Sequence, residues 1–129
     1  MLYNWKMVHG ELKMIEELIT KIFCTRNCAH FTHWTTDSYA QHEALGSFYT
    51  DVIDLLDNFV EVYQGNYSKI DQLDFDCECK PILKHLEEDV LWIDKNYKTL
   101  SGSVTALQNI LDEIVALYLK TIYKLKFLK

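Results

Sequence analysis

Arginine is almost missing: Arg26 is the only one in 129 residues. The guanidinium fork is the side chain best shaped for bidentate phosphate and base contacts. The net charge is −6. Phosphate binding needs concentrated Lys and Arg, so both facts argue against a nucleic-acid partner. Proline occurs once and glycine four times. Those two residues punctuate turns, so the chain reads as a few long, uninterrupted elements. No apolar run approaches the ~20 residues of a membrane span, which argues against a membrane partner. The opening "MLYNWKMVHGELK" lacks the unbroken apolar core of a secretory signal. These absences predict a cytoplasmic protein, bacterial or in the host cytoplasm if phage-encoded. In that reducing setting Cys24, Cys28, Cys77 and Cys79 are expected to be free thiols.

What is present is helical periodicity. The length suits a single domain, residues 1–129, large enough to bury roughly two thirds of its unfolded surface. From about Glu11 to Trp34, Ile15, Leu18, Ile19, Ile22, Ala29 and His33 recur at helical spacing. Asp37 and Ser38 interrupt, and Ser38 followed by Gln41 has the form of a capping box. A second stripe runs through His42, Leu45, Tyr49, Val52, Ile53, Leu56, Val60 and Tyr63, with Gly65 placed as a C-terminal cap. An acidic connection, Asn66 to Lys80, follows. Its length predicts a short element of its own, and Ser68–Leu73 could supply one helical turn.

Pro81 suits the start of a third helix carrying Ile82, Leu86, Val90, Ile93, Tyr97 and Leu100. Ser101–Ser103 breaks the pattern. A fourth helix then carries Leu107, Ile110, Leu111, Ile114, Leu117, Tyr118, Ile122 and Leu125, an apolar face wide enough for two neighbours. The fold class is all-α, four helices in one bundle. The long second link permits a crossover between helices two and three, and an up-down-up-down layout competes with it.

Chemistry concentrates between His30 and Gly65. His33 falls on the line of Ile15, and His42 on the line of Val60, so both face the apolar side, on helix ends joined by a short turn. Two satisfied core histidines would read the same way. Asp57 and Glu61 are four apart and share a helix face. Helix rise sets Asp57 about 22 Å from His42, too far to close a site within one chain. A second copy, antiparallel across a two-fold axis, could supply the carboxylates. A solvated acidic edge is the simpler account of that pair. "CTRNCAHFTHW" (Cys24–Trp34) mixes cysteine and histidine, but as a helix it splits them between faces. The cysteines read better as small buried hydrophobes. "DFDCECK" (Asp74–Lys80) could ligate a metal, and reads first as a solvated acidic loop. No Glu-x-x-His occurs, which disfavours a di-iron centre within one chain.

The segment resembles the Dps-like mini-ferritins of the ferritin-like superfamily. The residues that carry the resemblance are His33-Trp34, His42-Glu43, Leu45, Phe48, then Asp57 and Glu61, closed by Gly65. It is strong over about 35 residues and architectural over the rest. It implies a ferritin-like four-helix bundle with a long crossover between helices two and three. It also implies a metal site between subunits, with His33 and His42 from one copy, Asp57 and Glu61 from its neighbour, and Trp34 close by. The metal would be iron, with zinc or manganese as substitutes. No catalytic group is implied beyond the ligands. The implied activity is ferroxidase, Fe(II) oxidation by peroxide or oxygen, with iron storage in a homo-oligomer, a dimer at minimum and a dodecamer in full. Gly46 stands where the family carries an acid, which predicts one good metal position. The turn is three residues shorter than the family's, and Val62 replaces its Arg. Two other readings remain: an oligomeric helical scaffold or binding protein without the full metal chemistry, and a zinc or redox protein using the cysteines.

Overall fold

The computed structural model describes the backbone of residues 5–129 and the side chains from Met14 onward. Residues 1–4, which open the segment without a secretory signal's apolar core, lie outside the described residues. The chain is all-α. Helix α1 spans Trp5–Thr35, α2 Tyr39–Asn66, α3 Ile82–Ser101 and α4 Thr105–Phe127. The described residues include no strand. No described helix is long and apolar enough to cross a membrane.

The short turn at 36–38 works as the sequence suggests, with one change. Ser38 Oγ accepts the Gln41 N–H at 3.1 Å, capping α2. The return half of the box passes through Thr36, whose hydroxyl donates to the Gln41 side chain and accepts the Ser38 N–H. At the other end of α2 the expected glycine cap is corrected. Gly65 lies inside the helix, and Tyr67 caps it by donating its N–H to the Tyr63 carbonyl. The glycine that leaves right-handed space is Gly102, φ 57°, at the end of α3. The helical turn suggested for Ser68–Leu73 does not form, and residues 67–81 are irregular throughout.

Helix α1 packs on α2 and α3, and α4 packs on the same two helices. The diagonal pairs, α1 with α4 and α2 with α3, have no close backbone approach among the described residues. Side chains set the directions. Thr25 of α1 meets Asp89 of α3, and Lys21, one turn back, lies over the Trp92 ring, one turn on. So α3 runs antiparallel to α1, as α2 must across its tight turn. The start of α3 therefore lies towards the α1–α2 turn, and the link from Tyr67 to Pro81 runs along the bundle to reach it.

The core is the interior of this ring. Ile15, Leu18 and Ile22 of α1, Leu45, Phe48, Val52 and Phe59 of α2, Leu86 of α3, and Leu107, Leu111 and Ile114 of α4 are wholly buried. Each such side chain contributes roughly 1.5–3 kcal/mol relative to exposure. Phe48 meets the Tyr118 ring edge-on at 5.0 Å.

Candidate functional site

His33 ends α1 and His42 opens α2, and the capped turn holds the two helix ends together. The imidazoles stack with centroids 3.7 Å apart and planes 16° from parallel. Each ring reaches across to the other residue's backbone. His33 Nδ1 lies 2.6 Å from the His42 carbonyl oxygen, and His42 Nδ1 lies 2.7 Å from the His33 carbonyl oxygen. A carbonyl only accepts, so both Nδ1 atoms carry the proton and donate. In the neutral rings both Nε2 atoms then keep a free lone pair. Neither ring is a core residue. Both are half-buried, at the end of the stripe where the bundle opens.

The surroundings of this pair are specific. Tyr49 meets His33 edge-on at 5.2 Å and stacks on His30 at 3.9 Å. His30 also packs on Trp34 at 4.1 Å. Trp34 is 66% exposed, so it stands beside the pair through His30 rather than over it. Glu43, Gly46, Thr50 and Asp51 line the open cleft against the two histidines. A Cβ on Gly46 would stand 3.1 Å from His33 Cε1. The His33 ring thus occupies the space that a longer side chain at this position would need to pass.

Asp57 and Glu61 are exposed and belong to another cleft, lined by Ile19, Phe23, Leu56, Val60 and Leu73. Within one chain they do not meet His33 and His42. Neither histidine belongs to a cluster of three or more metal-capable side chains among the described residues.

The cysteines correct the expectation of free thiols. Cys24 is bonded to Cys77, and Cys28 to Cys79. Helical spacing puts Cys24 and Cys28 on one face, about 6 Å apart along the axis. In an irregular, extended link, alternate side chains share a face, and two residues advance about 6.6 Å. The two ladders match in pitch, so both bonds form side by side and tie the link to α1. "CTRNCAHFTHW" does split as a helix must: its cysteines face the link, His30 faces Tyr49 and His33 faces α2.

Beside the disulfides lies a buried polar network. Thr25 Oγ1 donates to Asp89 Oδ2 at 2.5 Å, and the Tyr118 hydroxyl donates to the same oxygen at 2.8 Å. The Lys80 N–H donates to His85 Nε2 at 2.9 Å. His85 therefore carries its proton on Nδ1, facing Thr25 Oγ1 at 3.4 Å. Burial is the main cause that lowers the pKa of His85, and it pushes the Asp89 carboxyl up to about 6 against the two donated hydrogen bonds. The network borders a cleft of about 380 Å³ shared with Lys21, Cys24 and Lys80. Periodicity missed it, because His85 and Asp89 are polar residues on the core line of α3. Their i, i+4 spacing three and seven residues after Ile82 was the available signal.

These observations define an all-α protein of four helices, with a solvent-open histidine pair at one end and a cystine-tied link. Residues 33–125 match a family described as Family of unknown function (DUF5856), and the chain belongs to that family. No curated protein and no solved structure matches it.

Proposed function

We propose that the chain is a ferritin-like protein that binds iron between two copies of itself. His33 and His42 come from one copy, and Asp57 and Glu61 from the other. The observation that carries this reading is the reciprocal pair of Nδ1–H···O=C bonds. Histidines that ligate metals nearly always donate the other ring N–H to a carbonyl or carboxylate, which fixes the tautomer. Here two adjacent rings are fixed in the tautomer that leaves Nε2 bare. Imidazole and carboxylate with open positions suit Fe(II).

Three further facts support it. The packing order, α1 and α4 each against α2 and α3 with a lengthwise link, supports the ferritin-like crossover over the up-down-up-down layout. The carboxylates sit too far along α2 for one chain, which calls for a partner copy. Phe31 and Trp34 are 54% and 66% exposed on the outer side of α1, next to the histidines, and exposed aromatics grouped on one face suit a protein interface. Fe(II) is then the substrate. Oxidation by peroxide or oxygen follows if the assembly holds the metal with an open position.

Anaerobic titration with Fe(II), then exposure to oxidant, tests binding and oxidation separately. Saturable binding is expected, lost in His33→Ala and in Glu61→Ala. Mixed oligomers of those two variants should regain part of it, because one hybrid interface holds all four ligands. No saturable binding in the wild-type chain would sink the reading. The second reading, an oligomeric helical scaffold without metal chemistry, is favoured by Gly46, which leaves no acid beside the histidines. It expects self-association with no Fe(II) binding.

A further inference from the structure

The two disulfides bring four sulfurs and one imidazole into two overlapping groups that share Cys28. Cys28 Sγ lies 3.9 Å from Cys77 Sγ, to which it is not bonded. The sulfurs of Cys28, Cys77 and Cys79 all lie within 4.8 Å of one another, as do the ligand atoms of Cys24, Cys28 and His85. In a tetrahedral zinc site, Zn–S bonds of about 2.3 Å set the sulfurs about 3.8 Å apart. The crossed pair already stands at that spacing. The bonded pairs need only part, and Cys28 belongs to both groups of close ligand atoms, so the four thiols remain neighbours across α1 and the link.

We propose that Cys24, Cys28, Cys77 and Cys79, when reduced, form a tetrathiolate site for one zinc ion, and that the two disulfides are its oxidised, metal-free form. The Cys-x3-Cys half lies in the range of spacings used by structural zinc sites. The Cys-x-Cys half works because the link is extended, so both thiols point the same way. Thiolates select zinc over the harder divalent ions. His85 stands beside the sulfurs with Nε2 occupied by the Lys80 N–H, so it supports the link rather than completing the ligand set.

The interconversion balances. Two molecules of a dithiol reductant each pass two electrons and two protons to one protein disulfide and leave as cyclic disulfides. The four protein thiols then lose four protons as Zn²⁺ takes four Zn–S bonds. An oxidised thiol reagent reverses the sequence and releases the ion. The consequence is structural. The irregular 67–81 link is tied to α1 covalently under oxidising conditions and through zinc under reducing ones. A reducing compartment and this fold are then compatible.

The test reduces the full-length chain with a phosphine, removes the reductant anaerobically, and adds Co²⁺ or Zn²⁺ alone. One metal per chain is expected, with a thiolate-to-cobalt charge-transfer band and tetrahedral d–d bands that zinc abolishes. The oxidised chain should show neither band. An oxidised dithiol added to the zinc-loaded chain should release one zinc for every two disulfides formed. Cys79→Ser should lose the tetrathiolate spectrum, with helical circular dichroism checking its fold. His85→Ala should keep the spectrum. So should the His33→Ala/His42→Ala double variant, which separates this site from the iron reading. A folded, reduced wild-type chain without the thiolate-to-cobalt band would overturn the proposal, as would equal uptake by the oxidised chain. Loss of the spectrum in His85→Ala with Cys79→Ser unaffected would overturn the ligand set.

Discussion

Asp89 is the residue whose environment speaks most plainly. Its carboxyl is buried, and desolvation raises its pKa to about 6 from an ordinary 3.8. The folded state therefore holds this proton where the unfolded chain has released it. Stability from this group is complete below about pH 4 and is lost as pH rises through about 6, a difference of about 3 kcal/mol. Urea unfolding of the wild type and Asp89→Asn across that window should show this component in the wild type alone. Tyr118→Phe removes one donor to the carboxylate and should cost about 1.5–3 kcal/mol at pH 7. Gly46 makes a different prediction. Alanine there gains about 1 kcal/mol of helix propensity and crowds the His33 ring, a cost of similar size. Stability should change by less than about 1 kcal/mol, while the His33 imidazole NMR signals shift and Fe(II) binding weakens.

At the scale of elements, the link and the helix ends carry the predictions. The two cystines close loops with sequence separations of 53 and 51 residues. Loop-closure entropy puts the first at about 4 kcal/mol, and the second adds less because its loop is already closed. Reduction without added metal should lower stability by roughly that amount and expose 67–81 to limited proteolysis. Two glycines should behave oppositely. Gly102 has φ 57°, and a Cβ there would stand 3.0 Å from the Tyr67 hydroxyl oxygen, so Gly102→Ala should destabilise by about 1–2 kcal/mol. Gly65 lies inside α2 with open space around it, so Gly65→Ala should stabilise by about 0.5–1 kcal/mol. Thermal unfolding of the pair checks both. The second half of that contrast is where sequence reading failed: Gly65 looks like a cap in one dimension, but the helix continues one residue past it and Tyr67 closes it instead.

For the whole molecule, the decisive quantity is native mass. A site shared between copies requires a dimer at minimum, and iron storage requires a closed shell, with twelve chains as the size the resemblance implies. Light scattering should find a dimer or larger. A monomer at micromolar concentration would remove the shared site and leave the zinc proposal untouched.

The four helices were legible because apolar residues at 3.6-residue spacing specify a helix and its buried face with no knowledge of its neighbours. Leu45, Phe48, Val52 and Leu56 announce α2 by themselves, and Ser38 with Gln41 announces its start. The histidine pair was legible for the same reason, since a short turn must bring two helix ends together. Pairing across distant segments was not. The cystines depend on the pitch of an extended link matching the pitch of α1, and a link without periodicity declares no pitch. The Thr25, His85, Asp89 and Tyr118 network depends on three helices converging; Thr25, His85 and Asp89 each look alone like a polar interruption, and Tyr118 reads as one more residue of an apolar stripe. Local spacing thus determined the elements and the facing of His33 and His42. Only the tertiary structure decided the cysteine partners and the buried carboxylate, because those follow from which helices lie side by side, whereas the separation of Asp57 and Glu61 from His42 needed only the rise of one helix.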